Sequence, residues 1–254
     1  MKKILDFKLL TNELLNQDTY LLGLECTETM PDIKPGQFVN VKIDNSTETF
    51  LRRPISIHDV DIENNILYLY VKVLGNGTRK MKDAKEGDII NILIALGNSF
   101  TMDYTKNPLL IGGGCGIAPM LYLAKDIFVK TENKPTILLG ARTSTDLLRL
   151  DEFEKYADVY YTTEDGSAGE KGYPTTHSIF SKEQFDFIYC CGPDPMMKAV
   201  AKLAKDKEIE CEVSLENTMA CGIGACLCCV QDTKEGHKCV CTDGPVFNIK
   251  DLKW

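Results

Sequence analysis

Positive charge is in short supply in this chain. Its 254 residues hold 29 Lys and Arg against 37 Asp and Glu, a formal net charge of −8. The basic residues are scattered rather than gathered into patches interleaved with aromatics. Neither nucleic acid nor an anionic membrane surface is therefore expected as a partner. Long apolar runs are also missing. The most hydrophobic stretch, 109–124, is too short and too rich in glycine to span a bilayer. No export signal is expected, because Asp6 and Lys8 interrupt the apolar residues behind the basic start. Internal repeats and low-complexity segments do not stand out. A hydrophobic content of 44% with 26% charged residues is ordinary for a soluble globular chain, and the expected location is cytoplasmic.

What is abundant is cysteine. There are 11, and in a reducing compartment they are not expected to form disulfides. Cys26, Cys115, Cys190 and Cys191 sit in apolar or glycine-rich settings and read mainly as small buried hydrophobes. The other seven follow residue 210, which marks the tail as specialised. Cys221, Cys226 and Cys229 are separated by four residues and then two, the opening spacing of plant-type [2Fe–2S] sites. A fourth thiol comes from Cys239 or Cys241. A zinc site would more often show two C-x-x-C pairs or a mixture with histidine. Gly222 and Gly224 allow the sharp turns that aim backbone N–H groups at sulfur. His237 is the only histidine nearby, so a centre with two histidine ligands is excluded.

The first hundred residues read as short strands broken by turn signals such as Pro35-Gly36 and Glu86-Gly87-Asp88, which suggests an antiparallel barrel. Expected strands are 19–26, 37–43, 55–58, 67–74 and 89–93. Arg53 followed by Ser56 in a strand-like stretch can present a guanidinium and a hydroxyl to one phosphate, and a solvated arginine pair, Arg52 and Arg53, is the plain alternative. The run 72–78 is a strand entering a glycine turn, either a simple hairpin or a close approach to a ligand.

From about residue 108 strands alternate with helices, implying a parallel sheet able to bind a nucleotide at its strand C-termini. The strand 109–112 enters Gly112-Gly113-Gly114-Cys115-Gly116, and a helix follows from Pro119. Backbone amides at such a junction suit a phosphate, while tight packing of strand against helix is the plain alternative. The run is not a G-x-G-x-x-G fingerprint, since Ile117 or Pro119 occupies the third glycine position. Further strands are expected at 136–140, 159–163 and 187–191, with a helix over 196–205 after Cys191-Gly192-Pro193. Glu164 and Asp165 disfavour a 2′-phosphate nearby and lean toward NAD, whereas Arg142 pulls toward NADP.

In this order, the R-x-x-S strand, Gly77-Thr78, GGGCGIAPM and CGPDPMM resemble the ferredoxin–NADP reductase superfamily over essentially the whole chain. The tail MACGIGACLCC…CVCTDGPVF is similar to that of the electron transfer subunits of NAD-dependent (type B) dihydroorotate dehydrogenase. The resemblance implies a multidomain β and α/β fold: a flavin barrel over 1–101, an NAD domain over 102–210 and a [2Fe–2S] domain over 211–254. It puts FAD on Arg53, Pro54, Ile55, Ser56, Tyr70, Val71, Lys72, Gly77 and Thr78. NAD falls on Gly112, Gly113, Gly114 and Gly116, with Cys191 and Gly192 near the nicotinamide. The cluster ligands become Cys221, Cys226, Cys229 and Cys241, leaving Cys228 and Cys239 as extra thiols. It further implies a separate FMN-containing catalytic subunit, assembled two of each, and no catalytic residue for dihydroorotate here. A flavin and iron–sulfur reductase serving another enzyme, and a zinc or redox-sensing module, are the competing readings.

Overall fold

Alternating burial along the first strand begins the N-terminal barrel. In a computed structural model, which describes residues 2–44 and 48–254, β1 (Lys3–Leu14) buries Leu5, Phe7 and Leu9 and leaves Asp6 and Lys8 in solvent. The charges that argue against an export signal are the outward half of a strand, one that the sequence reading did not anticipate. β2 (Thr19–Cys26), β3 (Phe38–Val41), β4 (Arg53–Asp61), β5 (Ile66–Lys72), helix α1 (Asn76–Lys82) and β6 (Ile89–Leu96) follow. The strands close into an antiparallel barrel in the order β1-β2-β5-β4-β3-β6. Phe7, Tyr20, Leu22, Leu24, Leu69 and Ile92 are fully buried, and each aliphatic truncation to alanine there would cost about 2–5 kcal/mol. The Tyr20 hydroxyl donates to the Thr78 carbonyl at 2.7 Å and ties α1 to the barrel wall.

The second unit is a parallel sheet. Its elements are β7 (Pro108–Gly113), α2 (Ala118–Thr131), β8 (Thr136–Ala141), α3 (Leu150–Tyr156), β9 (Asp158–Thr163), β10 (Glu170–Lys171), α4 (Ile179–Lys182), β11 (Phe187–Cys191), α5 (Asp194–Asp206) and β12 (Glu210–Ser214). The tail adds β13 (Val230–Thr233), β14 (Gly236–Cys239), α6 (Val240–Asp243) and β15 (Val246–Asn248). The sheet order is β10-β9-β8-β7-β11-β12-β15, parallel except for β15, which runs antiparallel to β12. β7 lies between β8, its successor in the chain, and β11, which arrives much later. Strand order therefore reverses at β7, and in open α/β sheets ligands bind beyond the C-terminal ends of strands at such a point.

One compact unit comprises Met1–Ser99, Asn217–Gln231 and His237–Pro245, and the other Phe100–Glu216, Asp232–Gly236 and Val246–Trp254. Residues 211–254 are shared between the two units. β12 and β15 hydrogen-bond into the parallel sheet, while the cysteine loop packs on the barrel.

Candidate redox sites

The cysteine loop lies against the barrel through close backbone approaches. Asn98 N–H donates to Gly244 O at 2.6 Å, and the Asn98 amide donates to Asp243 O at 2.8 Å. Gly222 has φ of +70°, a left-handed conformation, and a Cβ on it would stand 2.6 Å from Asn40 Nδ2. Only glycine satisfies both constraints. The turn thus formed aims amides at sulfur: Ile223 N donates to Cys221 Sγ at 3.4 Å, and Gly224 N to Cys241 Sγ at 3.2 Å. From the hairpin side, Cys241 N donates to Cys229 Sγ at 3.4 Å.

The thiols gather together, Cys221 interacting with Cys226, and Cys241 with both Cys229 and Cys221. Hydrogen bonds from Ile223 N–H and from the Cys226 side chain and backbone lower Cys221 to about 6, against the opposing effect of burial. Burial, followed by the Cys229 side chain, pushes Cys241 up to about 12. Among the described residues no three His, Cys, Asp or Glu side chains converge to hold a single metal ion. Four cysteines with backbone N–H groups donating to their sulfurs are the donor set of a [2Fe–2S] cluster, so these residues fit that group. Cys226 and Cys228 are exposed, Cys229 and Cys241 are buried, and Cys239 is half-buried.

The expected flavin residues gather where the barrel wall parts. The β4–β5 ladder ends at Ile57 opposite Leu69, so Arg53–Ser56 and Tyr70–Lys72 carry no ladder bonds to each other. Pro54, which has no N–H to donate, sits in the parted stretch. Arg53 through Ser56 are all half-exposed, without the alternation of a strand covered on one face. Gly77 comes so close to Arg53 that a Cβ on it would stand 2.4 Å from Nε. Thr78 Oγ1 accepts hydrogen bonds from the N–H groups of Leu74 and Gly75 at 2.9 and 3.2 Å, shaping the turn. Tyr70 and Val71 turn their side chains into buried positions, and Lys72 forms an ion pair with Asp18 at 3.4 Å. That strand therefore offers a ligand its backbone rather than its side-chain heads. Both arginines donate to backbone, Arg53 Nη1 to Leu51 O at 2.9 Å and to Arg52 O at 3.2 Å. Arg52 is spent on Asn91, whose Oδ1 and carbonyl accept at 2.5 and 3.1 Å, and on Asn40 O at 3.2 Å. Arg53 is the one that lies beside Gly77.

In the parallel sheet, Gly112 stands in register with Cys191. The loop after β7 approaches the loop after β11 so closely that a Cβ on Gly116 would meet Cys191 O at 2.2 Å and Gly192 N at 2.4 Å. A Cβ on Gly113 would meet Met196 Sδ at 2.4 Å, whereas Gly114 faces open space. The Cys191 thiol is buried, which raises its pKa well above that of a free thiol, and it donates to Glu216 Oε1 at 3.9 Å. The loops after β8 and β9 interlock, with Asp165 N donating to Arg142 O at 3.3 Å and Ser144 N to Ser167 Oγ at 2.8 Å. Gly112, Gly113, Gly116, Cys191 and Gly192 thus pack together at the point where strand order reverses, with Gly114 beside them facing open space.

Comparison with known proteins now adds a lineage. Residues 216–253 match the iron–sulfur cluster binding domain of dihydroorotate dehydrogenase B, and residues 110–202 match an oxidoreductase NAD-binding domain. A relative from Fusobacterium nucleatum, the dihydroorotate dehydrogenase B (NAD(+)) electron transfer subunit, is 37% identical over 99% of each chain. Its counterpart from Caldanaerobacter subterraneus is 40% identical over 96% of each. The chain belongs to this family of electron transfer subunits. Like the family, it is a component of an oxidoreductase that works with FAD, NAD and a [2Fe–2S] cluster. Among solved structures, a chain of an NADH-dependent reduced ferredoxin–NADP oxidoreductase, studied for flavin-based electron bifurcation, superposes with a TM-score of 0.88 at 31% identity. That match covers 98% of this chain and 90% of the other. The ferredoxin reductase in carbazole 1,9a-dioxygenase shares the fold, with a TM-score of 0.71 at 18% identity over 82% of this chain and 67% of that one. No helix among the described residues is long and apolar enough to cross a membrane.

Sequence reasoning passed over Asn40, a polar residue in a short apolar strand. It also passed over Glu216, which lies outside any motif. An asparagine among β-branched and aromatic neighbours was the available signal for the first. For the second there was none.

Proposed function

We propose that this chain carries electrons from the FMN of a catalytic dihydroorotate-oxidising subunit to NAD⁺. In this reading Cys221, Cys226, Cys229 and Cys241 hold the cluster, Arg53–Ser56, Tyr70–Lys72 and Gly77-Thr78 hold FAD, and the Gly112–Gly116 loop with Cys191-Gly192 holds the dinucleotide. The observation that carries it is the gathering of four thiols on a loop whose backbone amides point at sulfur. A flavin exchanges electrons singly or in pairs, and so joins a one-electron cluster to the two-electron hydride chemistry of nicotinamide.

The chain's own residues bind and orient. Arg53 offers a fixed guanidinium beside Gly77, suited to a phosphate. The parted β4–β5 edges offer unladdered backbone groups to a flat ring system. Gly116 and Gly192 let two backbone turns close on a pyrophosphate-bearing ligand. Amides from Ile223, Gly224 and Cys241 offset negative charge on the ligating sulfurs. Exposed Ala225, Cys226, Leu227 and Cys228 make the cysteine loop the face at which a partner's electrons enter.

The assembly holds two of each chain and is cytoplasmic. Purified holoprotein is expected to be yellow-brown, with flavin bands over broad iron–sulfur absorption, and not to oxidise dihydroorotate with NAD⁺ until the FMN subunit is added. Turnover by this chain alone would overturn the division of labour. The likeness to the bifurcating oxidoreductase favours a second reading, a reductase serving another enzyme. Isolation of the native complex distinguishes them by which protein accompanies the chain and whether it binds FMN.

A further inference from the structure

On β3, Val39 and Val41 alternate with Phe38 and Asn40, and all four are buried. Asn40 is 0% exposed, and neither end of its carboxamide has a hydrogen-bond partner among the described residues. Leaving a buried polar group unpaired costs about 1–3 kcal/mol, and native proteins rarely keep one without a use for it. The backbone of Asn40 is not the difficulty, since its carbonyl accepts from Arg52 Nη1 at 3.2 Å. Only the side chain is orphaned, and it abuts the cysteine loop. Its Nδ2 lies 2.6 Å from the point where a Cβ on Gly222 would stand, at the residue that follows Cys221. Across the ladder Asn40 stands in register with Pro54, inside the parted flavin strip. The unsatisfied carboxamide thus sits in the barrel wall between the cysteine loop and that strip.

We propose that the Asn40 carboxamide donates a hydrogen bond to the iron–sulfur group, through the gap that Gly222 leaves by having no side chain. This rests on Cys221, Cys226, Cys229 and Cys241 being the ligands. A thiolate or sulfide sulfur accepts hydrogen bonds, and the carboxamide has two N–H groups to give. The donor favours the reduced cluster, which carries one more negative charge, so it raises the reduction potential. Asn40 is a positioning residue: it fixes how readily the cluster holds the electron that the flavin is to receive, while the thiolates hold the iron.

The test is Asn40→Leu, which keeps the number and branching of side-chain heavy atoms, in the full chain purified with its cofactors. Iron, sulfide and flavin contents are expected to match the wild type, while an EPR-monitored redox titration shows a lower cluster potential. Loss of one net hydrogen bond corresponds to about a tenfold change in the oxidised-to-reduced ratio, about 59 mV for a one-electron couple. An intact cluster at the wild-type potential overturns the proposal. Should N40L lose its iron, wild-type protein labelled with ¹⁵N-asparagine decides the matter by ENDOR of the reduced cluster. A nitrogen coupling supports the proposal, and its absence overturns it. Failure of the ligand assignment itself would register separately, as full iron and sulfide retained in Cys226→Ser.

Discussion

Gly116→Ala probes the proposed dinucleotide site at its tightest backbone approach. The new Cβ would stand 2.2 Å from Cys191 O and 2.4 Å from Gly192 N. Both are backbone atoms at the end of β11, a strand in register with β7 on one side and β12 on the other, so neither can rotate away like a side-chain tip. Carbon contacts are comfortable near 3.5 Å, so the two loops must part by about 1 Å. Overpacking of this kind costs about 1–3 kcal/mol, and each kcal/mol lowers Tm by about 2–4 °C in a protein of this size. The functional loss is expected to be larger, because a 1 Å misplacement of binding groups can cost about 100-fold. NADH should therefore bind about 10–100-fold more weakly, measured by titrating flavin reduction under anaerobic stopped flow, with FAD and cluster absorption retained. Gly114→Ala is the comparison. Nothing lies within 4 Å of its Cβ position, and only its φ of +57° resists, at about 1–2 kcal/mol. If G116A is reduced by NADH with wild-type rate and KM, the two loops do not form the dinucleotide site.

Cys226→Ser should abolish the broad iron–sulfur absorption and leave the flavin bands, and a full iron and sulfide load in the variant would remove Cys226 from the ligand set. Arg53→Ala should release FAD, with affinity lower by about 10–100-fold if the guanidinium makes one charge-assisted phosphate contact, and equal FAD retention in dialysed wild type and variant would rule that contact out. The contact between β10 and the turn leading into α4 is acid-sensitive. Glu170 accepts from the Ser178 hydroxyl and, at 2.8 Å, from its N–H, which lower its pKa, and it lies 3.5 Å from His177 Nε2. Burial lowers His177, outweighing the opposing pull of Glu170. Both folded values fall below the unfolded ones, so both contributions are present above those values and are lost as pH falls, His177 first, below about 6.5. The Tm advantage of wild type over His177→Asn should shrink between pH 7.5 and 5, and a constant gap would show that His177 is not the group responsible.

Much of this architecture could be read along the chain. The glycine run after an apolar strand, the second strand ending in Cys-Gly-Pro and the C-x₄-C-x₂-C spacing each carry local physics that survives folding. Expected strands at 19–26 and 187–191 match β2 and β11 residue for residue. What escaped depended on long-range neighbours. β1 was hidden because its outward Asp6 and Lys8 make sense only once β2 and β6 flank it. The stretch at Asn76–Lys82 reads as a glycine turn, yet forms a short helix held by the Tyr20 hydroxyl from a distant strand. β12 and β15 could not be recognised as partners, because the entire cysteine loop lies between them. Asn40 acquires meaning only from Gly222, far along the chain.

The hairpin at the base of that loop separates two quantities that spacing arguments treat as one. Cys229 and Cys241 are brought together by a rung of backbone, Val240 N–H to Cys229 O at 3.1 Å, and the excursion through β13 and β14 returns to it with its tip held by Lys234 N–H donating to Asp251 O at 2.8 Å. Residues added or removed as matched pairs at the Lys234-Glu235 tip would leave the foot of the ladder in place and shift only the tip's contact with Asp251. Closing a somewhat longer loop adds only a few tenths of a kcal/mol. The interval between the third and fourth cysteines is therefore elastic, in contrast to the rigid four-and-two spacing of the first three.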